Sequence, residues 1–413
     1  MKTDSGLKVI VAQMGARHSY AVPRMLHKHG ALSRLYTDSC IATAPVRIAA
    51  ALSSRLYSPL SGKLRRRSVH GIPASIVFSA PMVNIRSALT FSATLNERYE
   101  VENKVFGRQM IGWGTADANV VYGMLGSGVP FWRYAKDRGL KIAADVFITP
   151  LWHRIVAREY EAFPDWEDAP KEAPTDRVLI DSLNRETIEA ADLLLCPSPA
   201  VLADLKTFAG ELSPKFDNFP LAAIVPYASV VRSGKGTPTP GRVLFAGGAN
   251  LRKGIHYLAK AASILKGCGH HYEFRVAGMV SNRIRRHPAT HALNFLGHLS
   301  KERMEEEFRC ADIFVLPTLA EGSASVVYEA LAFGVPAITT QSAGSVVTHG
   351  KEGLIVPERD SDAIAMAIEK IVRNRGLRAA MAEAALATAA NFDERSWGNR
   401  LVEALTVLAD DSL

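Results

Sequence analysis

The sequence predicts an α/β protein of two doubly wound domains that face each other across a central cleft. Three observations carry this prediction. Short apolar runs alternate with segments of helical period in both halves of the chain, as parallel strands joined by crossover helices do. The stretch ASVVRSGKGTPTPG at 228–241 holds too much Gly, Pro, Ser and Thr for a packed element and separates the halves. The length, 413 residues with 48% hydrophobic and 22% charged, suffices for two domains with cores of their own. The expected boundaries are 1–227 for the first domain, 228–241 for the linker, 242–391 for the second domain, and 392–413 for a terminal helix packing back on the first.

The elements follow in order. Val9–Ala12 is a β-rich run that ends in Gln13-Met14-Gly15, and Tyr20–His29 has helical spacing closed by Gly30. The alternation continues through Asn119–Tyr122, a helix near Pro130–Arg138 ended by Gly139, Lys141–Ala144, a helix near Thr175–Ala191 and the apolar Leu193–Cys196. Beyond the linker it restarts with Val243–Ala246, a helix over Gly254–Lys266, Glu273–Ala277, a helix over Ser300–Cys310, Ile313–Leu316, a helix over Ser325–Phe333, and Ala337–Thr340. The remainder is mostly Ala-rich helix, with a final segment opening at Asp393–Trp397. Open α/β sheets bind ligands outside the carboxyl ends of their strands, so the cleft is where chemistry is expected.

Composition excludes several classes. The four cysteines (Cys40, Cys196, Cys268, Cys310) are scattered, which argues against a zinc site or a disulfide framework and for a reducing, cytoplasmic setting. The apolar stretch near the start is too short for a signal peptide, and no run approaches a membrane span, so any membrane contact is expected to be peripheral. Lys+Arg 49 against Asp+Glu 41 leaves a net charge of +8, which suits an anionic partner. Between Ser39 and Asn96 there is no Asp or Glu, while Arg47, Arg55, Lys63, Arg65, Arg66, Arg67 and Arg86 supply seven positive charges. With Ile48, Leu52, Leu56, Leu60 and Leu64 recurring every fourth residue, this stretch reads as an amphipathic basic segment for an anionic membrane or polyanionic acceptor, against the plainer reading of a solvated face. No nucleic-acid module accompanies the charge.

The most informative stretch is PTLAEGSASVVYEALAFGVPAITT, Pro317–Thr340. Gly322, Ser325 and Glu329 fall at i, i+3 and i+7, one polar stripe on a helix apolar nearly all round. Glu329 would be a buried carboxylate unless that stripe faces the cleft, where a ligand hydroxyl could partner it. The backbone N–H groups around Ser323 to Val326 form a helix N-terminus suited to a phosphate. The alternative is that Ser323 or Ser325 caps the helix and Glu329 meets a local Arg. A second cluster, Gly247-Gly248-Ala249-Asn250-Leu251-Arg252-Lys253-Gly254, follows a strand; its glycines permit close approach, and Arg252 and Lys253 suit a diphosphate. Asp360-Ser361-Asp362 matches an Asp-x-Asp metal pattern but precedes a helix, where Asp is an ordinary N-cap, so no metal is expected.

The two acids Glu321 and Glu329, seven residues apart in the context EG…EALAFGVPAI, resemble the signature of retaining glycosyltransferases of family 4, which have the GT-B fold of two Rossmann-like domains. LRKGIHYLAKAA at Leu251–Ala262 and VPYAS at Val225–Ser229 support the resemblance, which covers most of the second domain and the first only in outline. It implies a nucleotide-diphosphate sugar on the second domain and an acceptor held by the first. It further implies that Glu321 contacts the transferred sugar, Glu329 the ribose hydroxyls, and Arg252 with Lys253 the diphosphate, with Gly322, Ser323 and Ala324 beside the donor and the Gly15 turn approaching its phosphates from the other side. The chain departs from the family pattern in three places. Gly247-Gly248 replaces a common Gly-Arg, Ser323-Ala324 replaces Phe-Gly after Glu321-Gly322, and the acceptor-side histidine has only Asp145 or His18 as counterparts.

The resulting expectation is a metal-independent retaining glycosyltransferase that needs no cofactor, moving a sugar to a glycan or lipid-linked acceptor in surface polysaccharide or glycoconjugate synthesis. A sugar-nucleotide epimerase of the same architecture and a non-catalytic protein binding anionic surfaces are the alternatives.

Overall fold

The computed structural model describes residues 6–40, 67, 69–81, 83, 95–168, 174–212, 221–226 and 236–410. In the first half the elements are β1 (Val9–Gln13), α1 (Ala21–Lys28), β2 (Leu32–Thr37), β3 (Val77–Ser79), α2 (Leu95–Trp113), β4 (Val120–Met124), α3 (Val129–Lys136), β5 (Lys141–Asp145), α4 (Trp152–Ala162), α5 (Pro174–Ala190), β6 (Leu193–Cys196), α6 (Pro199–Leu212) and β7 (Leu221–Ile224). The second half contains β8 (Arg242–Ala246), α7 (Ile255–Gly267), β9 (Glu273–Ala277), α8 (Asn282–Arg286), β10 (Leu293–Gly297), α9 (Lys301–Cys310), β11 (Ile313–Leu316), α10 (Ser325–Ala332), β12 (Ala337–Thr339), β13 (Gly353–Ile355), α11 (Ser361–Arg373), α12 (Arg375–Ala389) and α13 (Glu394–Ala409).

Each half holds one parallel sheet, seven-stranded in the order β3-β2-β1-β4-β5-β6-β7 and six-stranded in the order β10-β9-β8-β11-β12-β13. Helices cover both faces, so the central strands read as unbroken apolar runs: every residue of β1, β6 and β11 is buried. In both sheets the order reverses beside the first strand of that half, β1 against β4 and β8 against β11. This is the switch point where a crevice opens outside the carboxyl ends of the strands.

Two segments cross between the halves. Helix α13 leaves the second domain and packs on α1; its Trp397, Leu401, Leu405 and Leu408 join Met25 and Leu26 in the first domain's core. In the other direction, Trp166, just after α4, is buried in the core of the second domain. Of the expected linker, 228–235 lie outside the described residues. Residues 236–241 lie on the second domain, where Thr239 N–H donates to the Cys310 carbonyl at 2.9 Å and Gly241 N–H to Asp312 at 2.9 Å. Asp360 caps α11, accepting the Ala363 amide at 2.8 Å, and Asp393 caps α13 through Ser396 N–H at 2.7 Å.

Candidate functional site

The loops after β8 and β11 are tied into one unit. The Arg252 carbonyl accepts the Leu319 amide at 2.9 Å and the Thr318 hydroxyl at 3.1 Å. Asn250 caps the turn through Lys253 N–H at 3.0 Å. Gly254 leaves it with φ +71°, and a side chain there would strike the Pro317 carbonyl, so only glycine satisfies both backbone and space. The turn thus carries both cations to the β11 loop. Arg252 Nη1 donates to the Ala320 carbonyl at 2.5 Å and to Glu321 Oε1 at 2.8 Å, and Lys253 Nζ reaches the same carboxylate oxygen at 2.8 Å. Glu321, whose side chain is 14% exposed, is therefore the counter-ion of both cations. The trio carries one net positive charge, which an arriving anion could take up by displacing the carboxylate.

Directly after Glu321 the loop meets the first domain. Ser198 Oγ donates to the Gly322 carbonyl at 2.8 Å, and a side chain on Gly322 would run into the Phe147 carbonyl and Pro197. Gly344 fits equally tightly against Gly322 and Ser198. Gly322 is thus one point at which the domains touch. Ser323 shares a hydrogen bond with the Tyr328 hydroxyl at 2.8 Å, so it does not cap α10; nor does any other side chain. The expected set of free amides is one shorter, because Ala324 N–H donates to the Ala343 carbonyl at 2.9 Å; the turn following β12 folds over the helix start. Ser325 and Glu329 are the exposed face of α10, and Val327, Ala330 and Leu331 are buried behind them. Desolvation by the surrounding walls pushes the Glu329 carboxyl above its ordinary range, partly offset by the charge of Lys301.

Residues 232–388 match the family model for glycosyl transferases group 1. The likeness covers the second half of the chain. D-inositol 3-phosphate glycosyltransferase of Corynebacterium urealyticum is 27% identical over 53% of this chain and 57% of its own length. The putative colanic acid biosynthesis glycosyltransferase WcaL of Salmonella typhimurium is 24% identical over 43% of this chain and 48% of its own. The chain spans about half the length of the curated relatives it matches. Among solved structures, HepE of Anabaena in complex with UDP and glucose superposes with a TM-score of 0.59 at 14% identity, covering 97% of this chain and 100% of that one. The fold is GT-B.

On the first-domain side of this GT-B cleft, the turn after β1 is left-handed at Gly15, His18, Ser19 and Tyr20. Three successive side-chain-bearing residues in that region store backbone strain of order 1–3 kcal/mol each. Asp38, at the end of β2, holds the turn: its carboxylate accepts the Gly15 amide at 2.9 Å and Arg67 Nη1 at 2.7 Å. Burial raises the Asp38 carboxyl, but the Arg67 bond and charge and the Ser39 and Gly15 amides outweigh it and leave it low. Asp38 was missed by sequence reasoning; its place at a strand's carboxyl end beside the switch point was the available signal. Arg67 corrects an expectation. It is paired to Asp38, the carboxylate that holds the glycine turn, and so is not a free surface cation of the basic stretch; the other six charges in that stretch lie outside the described residues.

Asp145, at the end of β5, is fully buried. Tyr122 donates to its Oδ2 at 2.6 Å, while Oδ1 has no hydrogen-bond partner among the described residues. Burial raises this carboxyl to about 6, against the pull of Arg17 and the Tyr122 bond. His18 packs edge-on to Trp397 at 5.3 Å and is lowered to about 4 by desolvation and by Arg17. Arg17, whose guanidinium lies 4.2 Å from the centre of the Phe147 ring, is the charge common to both candidates. Near neutral pH a group titrating near 6 is the better matched proton acceptor of the two.

Because the folded-state value of Asp145 lies above its ordinary value near 4, the stability it contributes is fully present below pH 4 and is lost as pH rises through 6. Asp145→Asn, which cannot ionise, is therefore expected to raise the melting temperature at pH 8, with a gain of up to roughly 3 kcal/mol, and to leave it unchanged at pH 3. Equal gains at both pH values would remove ionisation as the cause.

Proposed function

We propose that the chain is a retaining glycosyltransferase that takes a sugar from a nucleotide-diphosphate donor, without a metal, to a glycan or lipid-linked acceptor in surface polysaccharide or glycoconjugate synthesis. The observation that carries the proposal is the shared salt bridge of Arg252 and Lys253 with Glu321. A diphosphate taking over the two cations frees Glu321 to meet the sugar at the cleft, and the same cations then stabilise the departing nucleotide. Glu329, on the exposed face of α10, receives the ribose hydroxyls, while Asp145 and His18 with Arg17 face the acceptor. The UDP and glucose held by HepE make UDP-sugars the first donors to test, and the likeness to WcaL supports a polysaccharide setting.

The test is donor consumption by the full chain over a panel of UDP- and GDP-sugars, with the product anomer read by proton NMR in excess EDTA. Transfer with the donor's configuration is expected. An inverted anomer ends the retaining assignment, and activity lost to EDTA but restored by Mn²⁺ ends the metal-free one.

Glu329→Ala is expected to weaken nucleotide binding by roughly 1–3 kcal/mol through loss of charge-assisted hydrogen bonds, with the fold intact. Since the carboxyl titrates above its ordinary range, wild-type affinity should fall as pH drops at a higher pH than for an unperturbed Glu. Calorimetric titration with UDP from pH 4 to 8 checks both; an affinity unchanged in the variant would make Glu329 irrelevant to the nucleotide.

The acid-free stretch 39–96 is proposed to hold the protein on an anionic membrane face in the cytoplasm. Arg65→Ser with Arg66→Ser, sparing Arg67, should weaken binding to anionic vesicles by up to about 2 kcal/mol at low salt. Co-sedimentation across a salt series measures it, and a wild-type chain that never binds such vesicles removes the membrane from the proposal.

A further inference from the structure

Residues 159–168 belong to the first half by sequence but make their main contacts with the second. Glu159 of α4 is buried and lies among three partners of the second domain: Tyr257 Oη at 2.9 Å, His256 Nε2 at 3.1 Å and Arg359 Nε at 2.6 Å. Burial alone would raise its carboxyl, yet the bonds from His256, Tyr257 and Arg359 leave it lowered. Phe163 packs edge-on to His256 at 4.5 Å, and Trp166 stacks on His287 at 4.0 Å within the second domain's core. Arg283 closes the far end, donating to the Pro164 carbonyl at 2.9 Å and the Asp165 carbonyl at 3.0 Å and pairing with Asp168. The segment is thus held at one end by the buried Glu159 and at the other by the buried Trp166 ring and the surface bonds of Arg283.

Between those anchors, Glu167 Oε2 accepts the backbone amide of Leu251 at 3.1 Å. Leu251 is the first residue of the tight turn Leu251–Lys253, and the next two residues are the cations paired to Glu321. The carboxylate thus ties the turn to the 159–168 segment, while Arg252 ties it to the β11 loop through its carbonyl and guanidinium. Desolvation holds the Glu167 carboxyl up, the Leu251 amide pulls it down, and Asp168 pushes it up again.

We propose that Glu167 is a positioning residue for the Arg252–Lys253–Glu321 trio, so that a segment from the first half of the chain sets the geometry of the phosphate-binding turn in the second. The role rests on the donor site proposed above. Reactive geometry tolerates little displacement, and a shift of about 1 Å can cost 10²-fold in rate. An amide left without its acceptor gives the turn freedom to make such a shift.

The test uses the full chain as Glu167→Ala and Glu167→Gln, the second of which keeps an oxygen that accepts the Leu251 N–H. Two readouts are taken: hydrogen exchange of the 251–253 amides, and affinity for UDP and GDP as probes by calorimetry. In the alanine variant exchange is expected to accelerate at these amides, with about tenfold weaker binding of whichever nucleotide the wild type takes; glutamine should restore both to within about twofold. Local exchange and affinity that stay at wild-type values in the alanine variant overturn the role while leaving the donor site standing. A melting temperature that falls with affinity unchanged makes Glu167 purely structural and overturns it as well. A wild-type chain that binds neither UDP nor GDP overturns the donor site, and with it the role built on that site.

Discussion

The double variant Arg252→Ala/Lys253→Ala is expected to lose about 10²- to 10⁴-fold in affinity for nucleoside diphosphates. Each cation reaches its partner by a charged hydrogen bond in a site that is largely shielded, with side chains 25% and 15% exposed. Such bonds are worth about 1.5–3 kcal/mol each, so the pair supplies roughly 3–6 kcal/mol, at 1.4 kcal/mol per factor of ten. The loss is compounded because Glu321 would remain, now an uncompensated carboxylate facing the incoming phosphates. Titration with UDP and GDP measures the effect. Arg252→Lys separates charge from shape: it keeps the charge but loses the planar guanidinium whose Nη1 bonds both the Ala320 carbonyl and Glu321, and should fall between wild type and the double variant. A double variant within threefold of wild type would sink the diphosphate assignment.

Glu321→Gln is expected to act in the opposite sense on binding and on turnover. In the ligand-free chain the carboxylate occupies both cations through one oxygen. Neutralising it relieves that competition, so UDP should bind as tightly as before or more tightly. Turnover should fall by about 10²–10³, the range seen when a single group aimed at developing charge is removed. The diagnostic result is this split, low kcat with undiminished nucleotide affinity. Nucleotide binding weakened more than tenfold would mean that Glu321 serves only to hold the turn, and its sugar-facing role would be lost.

Much of this was legible before any fold was known. Strands such as Leu193–Cys196 and Ile313–Leu316, whose residues are all buried, read correctly because burial on both faces demands a continuous apolar run. Strand β2 escaped notice because Ser33 and Arg34 interrupt its run, and both find partners far away: Ser33 on Asp117, and Arg34 on the Trp113 carbonyl. Strands β3, β7, β10 and β13 are the edge strands of the two sheets, where backbone pairing with a single neighbour decides the conformation and side chains carry little signal. The Asp360 cap was readable because a cap needs only an oxygen three residues before an amide, a wholly local relation.

What the sequence by itself determined, then, is the alternation that makes two parallel sheets, the glycine turns at their carboxyl ends, and the identity of the acids and cations gathered there. The tertiary structure decided who partners whom. Glu321 and Arg252 are 69 residues apart, Glu167 and Leu251 84, and Gly322 and Ser198 124. His18 meets Trp397 only because α13 returns to the first domain. Local order is set by backbone dihedrals and the period of burial, which act over a few residues and leave a mark in sequence. Which carboxylate neutralises which cation is set by the packing of whole elements, because the cost of burying an unpaired charge is met by whatever opposite charge the fold brings within about 3 Å.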